Sequence, residues 1–140
     1  MTSAEEVGLR YLELSYAVRR AVDERMAASG PSLSRVKVLR VLGESGPQRQ
    51  VALAEALSLA PRSVTQTVEA LEREGLVSRE VDGQDARAKV VALTALGKKS
   101  LRAGTAAGEQ VLRDIFGPLG EPGIKQLGRL LERIESAVSS

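Results

Sequence analysis

The chain has 140 residues, 43% of them hydrophobic but only 2% aromatic, and its net charge is +2. That length suits one domain, or one domain with a helical extension, and a core built from Leu, Val and Ala favours helices over a β-sandwich. Cysteine and histidine are both absent, which excludes disulfides, thiolate metal sites and thiol redox sensing and removes the usual general base.

No enzyme activity, metal or cofactor is therefore expected. No apolar run reaches the roughly 18 residues of a membrane span. The N-terminus, MTSAEEVGLR, lacks a basic segment followed by an apolar one, so a cytoplasmic location is expected. A charge this close to neutral does not by itself point to nucleic acid, although most of the cationic residues are arginine.

Residues 4 to 28 place Val7, Tyr11, Leu14, Val18, Val22 and Met26 three or four apart, which predicts an amphipathic helix. Gly30-Pro31 ends it. A second helix is expected from an N-cap at Ser32 or Ser34 to Gly43, with Val36, Leu39, Val41 and Leu42 on its core side. Gly46-Pro47 then marks a turn.

A short helix follows over about 50–57, with Val51, Leu53, Ala54 and Leu57 expected inward. Ser58-Leu59-Ala60 connects it to a further helix in which Pro61 suits the first turn and Val64, Val68 and Leu71 form the buried line. Gly75 is the expected residue beyond its end. The outward positions are Arg62, Ser63, Thr65, Gln66 and Glu69. Short polar and arginine side chains at the start of the second helix of a helix–turn–helix are what reading of a DNA major groove requires.

Residues 76–81 and 89–93 alternate as two β-strands, joined by the charged loop Asp82-Gly83-Gln84-Asp85-Ala86-Arg87-Ala88. A two-stranded ribbon is marginal in water, so it has to pack on the helices. Thr94 is the expected N-cap of a long helix to about Phe116. Gly97, Gly104 and Gly108 lie inside that helix, which implies close helix–helix contact or a kink. Gly120 to Gly123 reads as another break. The last helix carries Ile124, Leu127, Leu130, Leu131, Ile134 and Val138 as a near-heptad seam.

Two stretches of this sequence resemble the MarR family of bacterial winged helix–turn–helix regulators. One is LAEALSLAPRSVTQTVEALEREGLVSR. The other is Asp85-Ala86-Arg87 followed by Val91-Ala92-Leu93-Thr94-Ala95-Leu96-Gly97. The flanking helices also fit the family's six-helix plan. The resemblance implies that the helix starting at Pro61 enters the major groove and that Arg87, at the wing tip, reaches the minor groove. It also implies that Asp85 orients the wing by pairing with an arginine, and that the first and last two helices make the dimer. Many members of the family lose DNA affinity when a small, often aromatic, molecule binds between these parts, so a small-molecule effector is implied as a partner.

The expected fold is mainly α with a small β-hairpin, in a single domain over residues 1–140. Its winged helix–turn–helix occupies 32–93, and dimerisation helices occupy 1–30 and 94–140. The expected partners are double-stranded DNA, bound at a pseudo-palindromic operator, and a second copy of the chain, with no membrane. The expected DNA-binding residues are Pro61, Arg62, Ser63, Thr65, Gln66, Arg87 and Lys89, with Asp85 orienting the wing. Glu69, with the modest net charge, leaves open a second reading: a winged helix that docks a protein and has lost DNA contact. Glu69, Glu72 and Glu74 are spaced for helix charge pairs, Glu69 with Arg73, rather than for acid–base chemistry. Tyr11 and Tyr16 suit core or interface packing, or the lining of a ligand pocket.

Overall fold

In the computed structural model, which describes residues 1–140, helix α1 (Ala4–Ser29) starts where the Ser3 hydroxyl accepts the Glu6 N–H at 3.1 Å. Of the apolar line along α1, only Val22 and Met26 are buried, while Val7, Tyr11 and Leu14 are exposed. The C-terminal end of α1 packs on α2 (Leu33–Ser45). There Asp23 reaches from α1 to accept the Leu33 N–H at 2.9 Å, satisfying one of the free donors at the start of α2 beside the Ser32 cap.

Helix α2 runs past Gly43, which therefore is a packing residue and not a stop. A Cβ there would lie 2.8 Å from the Leu101 side chain. The helix ends instead at Gly46, whose φ of 76° lets its N–H return to the Leu42 carbonyl.

The region that follows is built as the spacing predicts, with one addition. Strand β1 (Gln48–Arg49) leads directly into α3 (Gln50–Leu57), and Ser58 turns the chain into α4 (Pro61–Arg73). Strands β2 (Val77–Val81) and β3 (Lys89–Leu93) form the hairpin, and β1 joins it to give an antiparallel sheet ordered β1-β3-β2. Gln48 pairs with Val91 and Arg49 with Val90, so the ribbon gains a third strand as well as helix packing.

Val64, Val68 and Leu71 of α4 are buried as expected, with Leu39, Leu42, Leu53, Leu76, Val77 and Val91 in the same cluster. Each fully buried Leu or Val contributes roughly 1.5–3 kcal/mol by removal from water. Val51 is a correction: it is 66% exposed, and α3 buries only Leu53 and Ala54.

Thr94 caps α5 (Ala95–Phe116), its hydroxyl oxygen accepting the Gly97 N–H at 3.0 Å and donating to the Gly75 carbonyl at 2.6 Å. The helix glycines mark close approaches. A Cβ on Gly97 would lie 2.0 Å from the Leu76 carbonyl oxygen, one on Gly104 would meet Val36 at 2.6 Å, and one on Gly108 would meet Met26 at 3.2 Å.

Residues 1–108 form one compact unit and residues 109–140 a second. The second holds the end of α5, a 3-10 turn (Gly117–Leu119) and α6 (Gly120–Val138). The break expected at Gly120–Gly123 is instead the first turn of α6, where Pro122 loses nothing because that turn's N–H groups have no intrahelical partner. No residue of α6 is buried, and Ile124, Leu130, Ile134 and Val138 are exposed. No helix is long and apolar enough to cross a membrane.

Candidate nucleic-acid interface

The buried line of α4 fixes which residues it presents outward. Pro61 is the first helical residue, and the preceding Ala60 provides no side-chain cap, so donors at this helix start are free of side-chain partners. Arg62, Ser63 and Gln66 are exposed. Thr65 differs from them: it is half-buried, donates its hydroxyl to the Pro61 carbonyl at 3.0 Å, and lies 3.3 Å from the Gln50 amide nitrogen.

Gln50 belongs to a longer network that sequence spacing did not reveal. Its carbonyl accepts from Arg79 on β2 at 3.3 Å, and Arg79 also donates from Nε and Nη2 to Glu72 of α4 at 3.2 and 2.9 Å. The Arg79 hydrogen bonds hold the Glu72 carboxyl below its ordinary pKa, and Glu72 in turn raises that of Arg79. Glu74 pairs with Arg35 of α2. Glu72 thus pairs with an arginine seven residues on in β2 and Glu74 with one 39 residues earlier in α2, and the Glu69–Arg73 pair expected from helix spacing is not formed.

The wing loop closes on itself: the Asp82 N–H bonds to the Ala88 carbonyl at 2.9 Å and the Ala88 N–H to the Asp85 carbonyl at 3.0 Å. Asp85 does pair with an arginine, and the partner is Arg87 itself. One carboxylate oxygen accepts the Arg87 backbone N–H at 3.0 Å and its Nε at 3.5 Å. The Arg87 side chain remains 93% exposed. Lys89 is exposed at the start of β3, opposite Val81.

Asp82, whose sequence signal is only that of a turn residue, holds the most extensive set of partners in the loop. Its Oδ1 accepts the Gln84 N–H at 2.9 Å, and its Oδ2 accepts Arg49 Nε at 2.6 Å, with Nη2 of the same guanidinium also 2.6 Å away in the ion pair. The Gln84 N–H first, and the Arg49 guanidinium with it, hold the Asp82 carboxyl below the usual range. A cleft of about 260 Å³ between α1 and α2 is lined by Tyr16, Arg19, Arg20, Asp23, Leu33 and Lys37, among others. It draws on Tyr16 and not on Tyr11, and both tyrosines are exposed.

The MarR family profile matches residues 32–89, from the start of α2 to the start of β3. Over 140 residues the chain is 30% identical to the HTH-type transcriptional regulator YxaD of Bacillus subtilis, covering 98% of each protein. The chain belongs to the MarR family. MarR proteins are transcriptional regulators and not enzymes, and the mainly helical winged-helix architecture is theirs. The apo form of MarR from E. coli superimposes with a TM-score of 0.80 at 19% identity, over 96% of this chain and 97% of that one. BpsR of Bordetella bronchiseptica, a structure described in terms of regulation of its DNA binding by 6-hydroxynicotinic acid, gives 0.75 at 21% identity over 96% of each.

Proposed function

We propose that this MarR-family regulator is a homodimeric repressor that binds a pseudo-palindromic DNA operator. The carrying observation is the pairing of two presentations on one unit. The exposed start of α4 offers Arg62, Ser63 and Gln66 over a fully buried Val64-Val68-Leu71 line, and the wing holds Arg87 out in solvent beside Asp85. In this reading residues 32–93 bind DNA. Pro61 starts the helix in the major groove, Arg62, Ser63 and Gln66 reach base edges, and Arg87 and Lys89 contact the minor groove or phosphates. Thr65 contributes by holding Gln50 and its own helix turn, with Asp85 setting the rotamer of Arg87.

The dimer is supported by apolar surface that the chain leaves uncovered: Val7, Tyr11 and Leu14 on α1, and separately Ile124, Leu130, Ile134 and Val138 on α6. Helices in 1–30 and 94–140 then serve dimerisation, and a two-fold axis sets two copies of α4 about 34 Å apart, one turn of DNA. The cleft beside Tyr16 carries three cationic side chains against one carboxylate, which suits a small anionic effector whose binding releases the DNA. Such a protein works in the cytoplasm, where bacterial DNA is.

The test is fluorescence anisotropy against duplexes selected by the protein from a random pool, beside scrambled controls, at two salt concentrations. Preference for a selected inverted repeat, with affinity falling steeply with salt, is the expected result. Equal, weak binding to both duplexes discards the reading and favours protein docking by the winged helix.

A further inference from the structure

We propose that Arg49 and Asp82 form the clamp that fixes the wing against the helix–turn–helix, making both of them positioning residues for Arg87. The proposal rests on the DNA-binding reading above.

The geometry is specific. Arg49 ends β1 and is the residue from which α3 springs, so its backbone belongs to the helix–turn–helix. Asp82 follows the last residue of β2, at the base of the wing loop. Because β3 lies between β1 and β2, the Arg49 side chain reaches across the central strand to tie the two outer ones together. Asp82 uses both oxygens: one shapes the loop through the Gln84 N–H, and the other accepts Arg49 Nε and pairs with its guanidinium charge. Its side chain is only 15% exposed, against 93% for Arg87. Asp85, by contrast, bonds only within the loop, to Arg87 two residues on and to Ala88 through its carbonyl. It sets a rotamer and has no hold on the position of the wing as a whole. The last strand pairing before the tip is Val81 with Lys89, so without Arg49 the loop is held only by its own turns.

A partly exposed ion pair adds little to global stability, so the clamp acts on where the wing points. That gives a test whose sign discriminates. D82N removes one negative charge near bound DNA, and phosphate electrostatics alone predicts tighter binding. The replacing amide still accepts the Gln84 N–H but no longer neutralises Arg49. The clamp predicts weaker binding to the selected duplex, by about tenfold, as for R87A. In the D82N background, R87A then adds less than about twofold, because misplacing Arg87 and removing it cost the same contact. R49K, which keeps a cation, retains more affinity than R49M, and melting temperatures of the variants stay close to wild type. In the free protein, D82N speeds amide hydrogen exchange at Asp82 and Ala88 by at least about fivefold, as a locally released wing requires.

Tighter or unchanged binding by D82N overturns the clamp. So does full additivity with R87A, or weakening by R49M while D82N keeps wild-type affinity, which makes Arg49 a direct phosphate contact. If the wild type selects no DNA sequence, the DNA-binding reading falls while the exchange measurement still decides the clamp.

Discussion

Arg79 on β2 places two nitrogens on a single oxygen of Glu72 in α4 while its third reaches Gln50 at the start of α3. One guanidinium thereby joins the sheet to both helices of the helix–turn–helix. The pair also sets a pH dependence. The folded-state pKa of Glu72 lies below its ordinary value of 4.5, so its contribution is present above that value and is lost as pH falls through the folded pKa. Urea midpoints measured between about pH 3 and pH 6 are expected to drop toward the acid end, and E72Q is expected to flatten part of that drop. An unchanged slope in E72Q removes Glu72 from the account.

Gly97→Ala is expected to be severely destabilising. The added methyl would stand 2.0 Å from the Leu76 carbonyl oxygen and 3.0 Å from its carbon, and backbone cannot swing aside as a side chain can. A loss of about 3 kcal/mol or more, read as a lower urea midpoint, is the expected outcome.

Ser58→Gly should do the opposite. Ser58 is the only non-glycine residue with positive φ, at 53°, where its N–H closes the end of α3 on Ala54 and Glu55. Relief of the left-handed conformation outweighs the entropy glycine adds to the unfolded chain, for a gain of about 0.5–1 kcal/mol. Chemical denaturation of the two proteins side by side reads the difference directly.

Leu14→Glu on α1 and Ile134→Glu on α6 each place a charge on exposed apolar surface, so neither disturbs the core of its own unit. Both are expected to leave the circular dichroism spectrum unchanged and to shift sedimentation from dimer to monomer. A wild-type protein that already sediments as a monomer removes the dimer from the proposed function.

The elements legible from sequence are those whose signals are local. Val64, Val68 and Leu71 at helical spacing, Pro61 at the first turn and Gly75 past the end (φ 78°) fixed α4 to within a residue. Thr94 announced α5 in the same way. What spacing does not show depends on partners in other elements, which only the fold brings together. Strand β1 has two residues, too few for any alternation, and exists because Val90 and Val91 offer it an edge. Glu72 finds Arg79 and Glu74 finds Arg35 instead of the i, i+4 pairing that helix geometry suggests. Asp82 gave a turn signal through Asp-Gly, but nothing in the spacing pointed to Arg49, 33 residues earlier. The apolar stripe of α1 is legible in its spacing, yet periodicity does not say whether such a stripe meets its own chain or another.

The joint where Thr94 bonds both Gly75 and Leu76 has a mechanical consequence. The strand entering the wing and the segment leaving it are fastened at one base, with Gly97 pressed against the same carbonyl. Residues 75–76 and 94 would be the fulcrum of any tilt of the hairpin, a tilt that the β1–β3 pairing and Arg79 restrain. Five-residue strands are ~17 Å long, so a tilt of about 5° at the fulcrum carries the tip through roughly 1.5 Å. That is enough to turn a hydrogen bond from Arg87 into a missed contact.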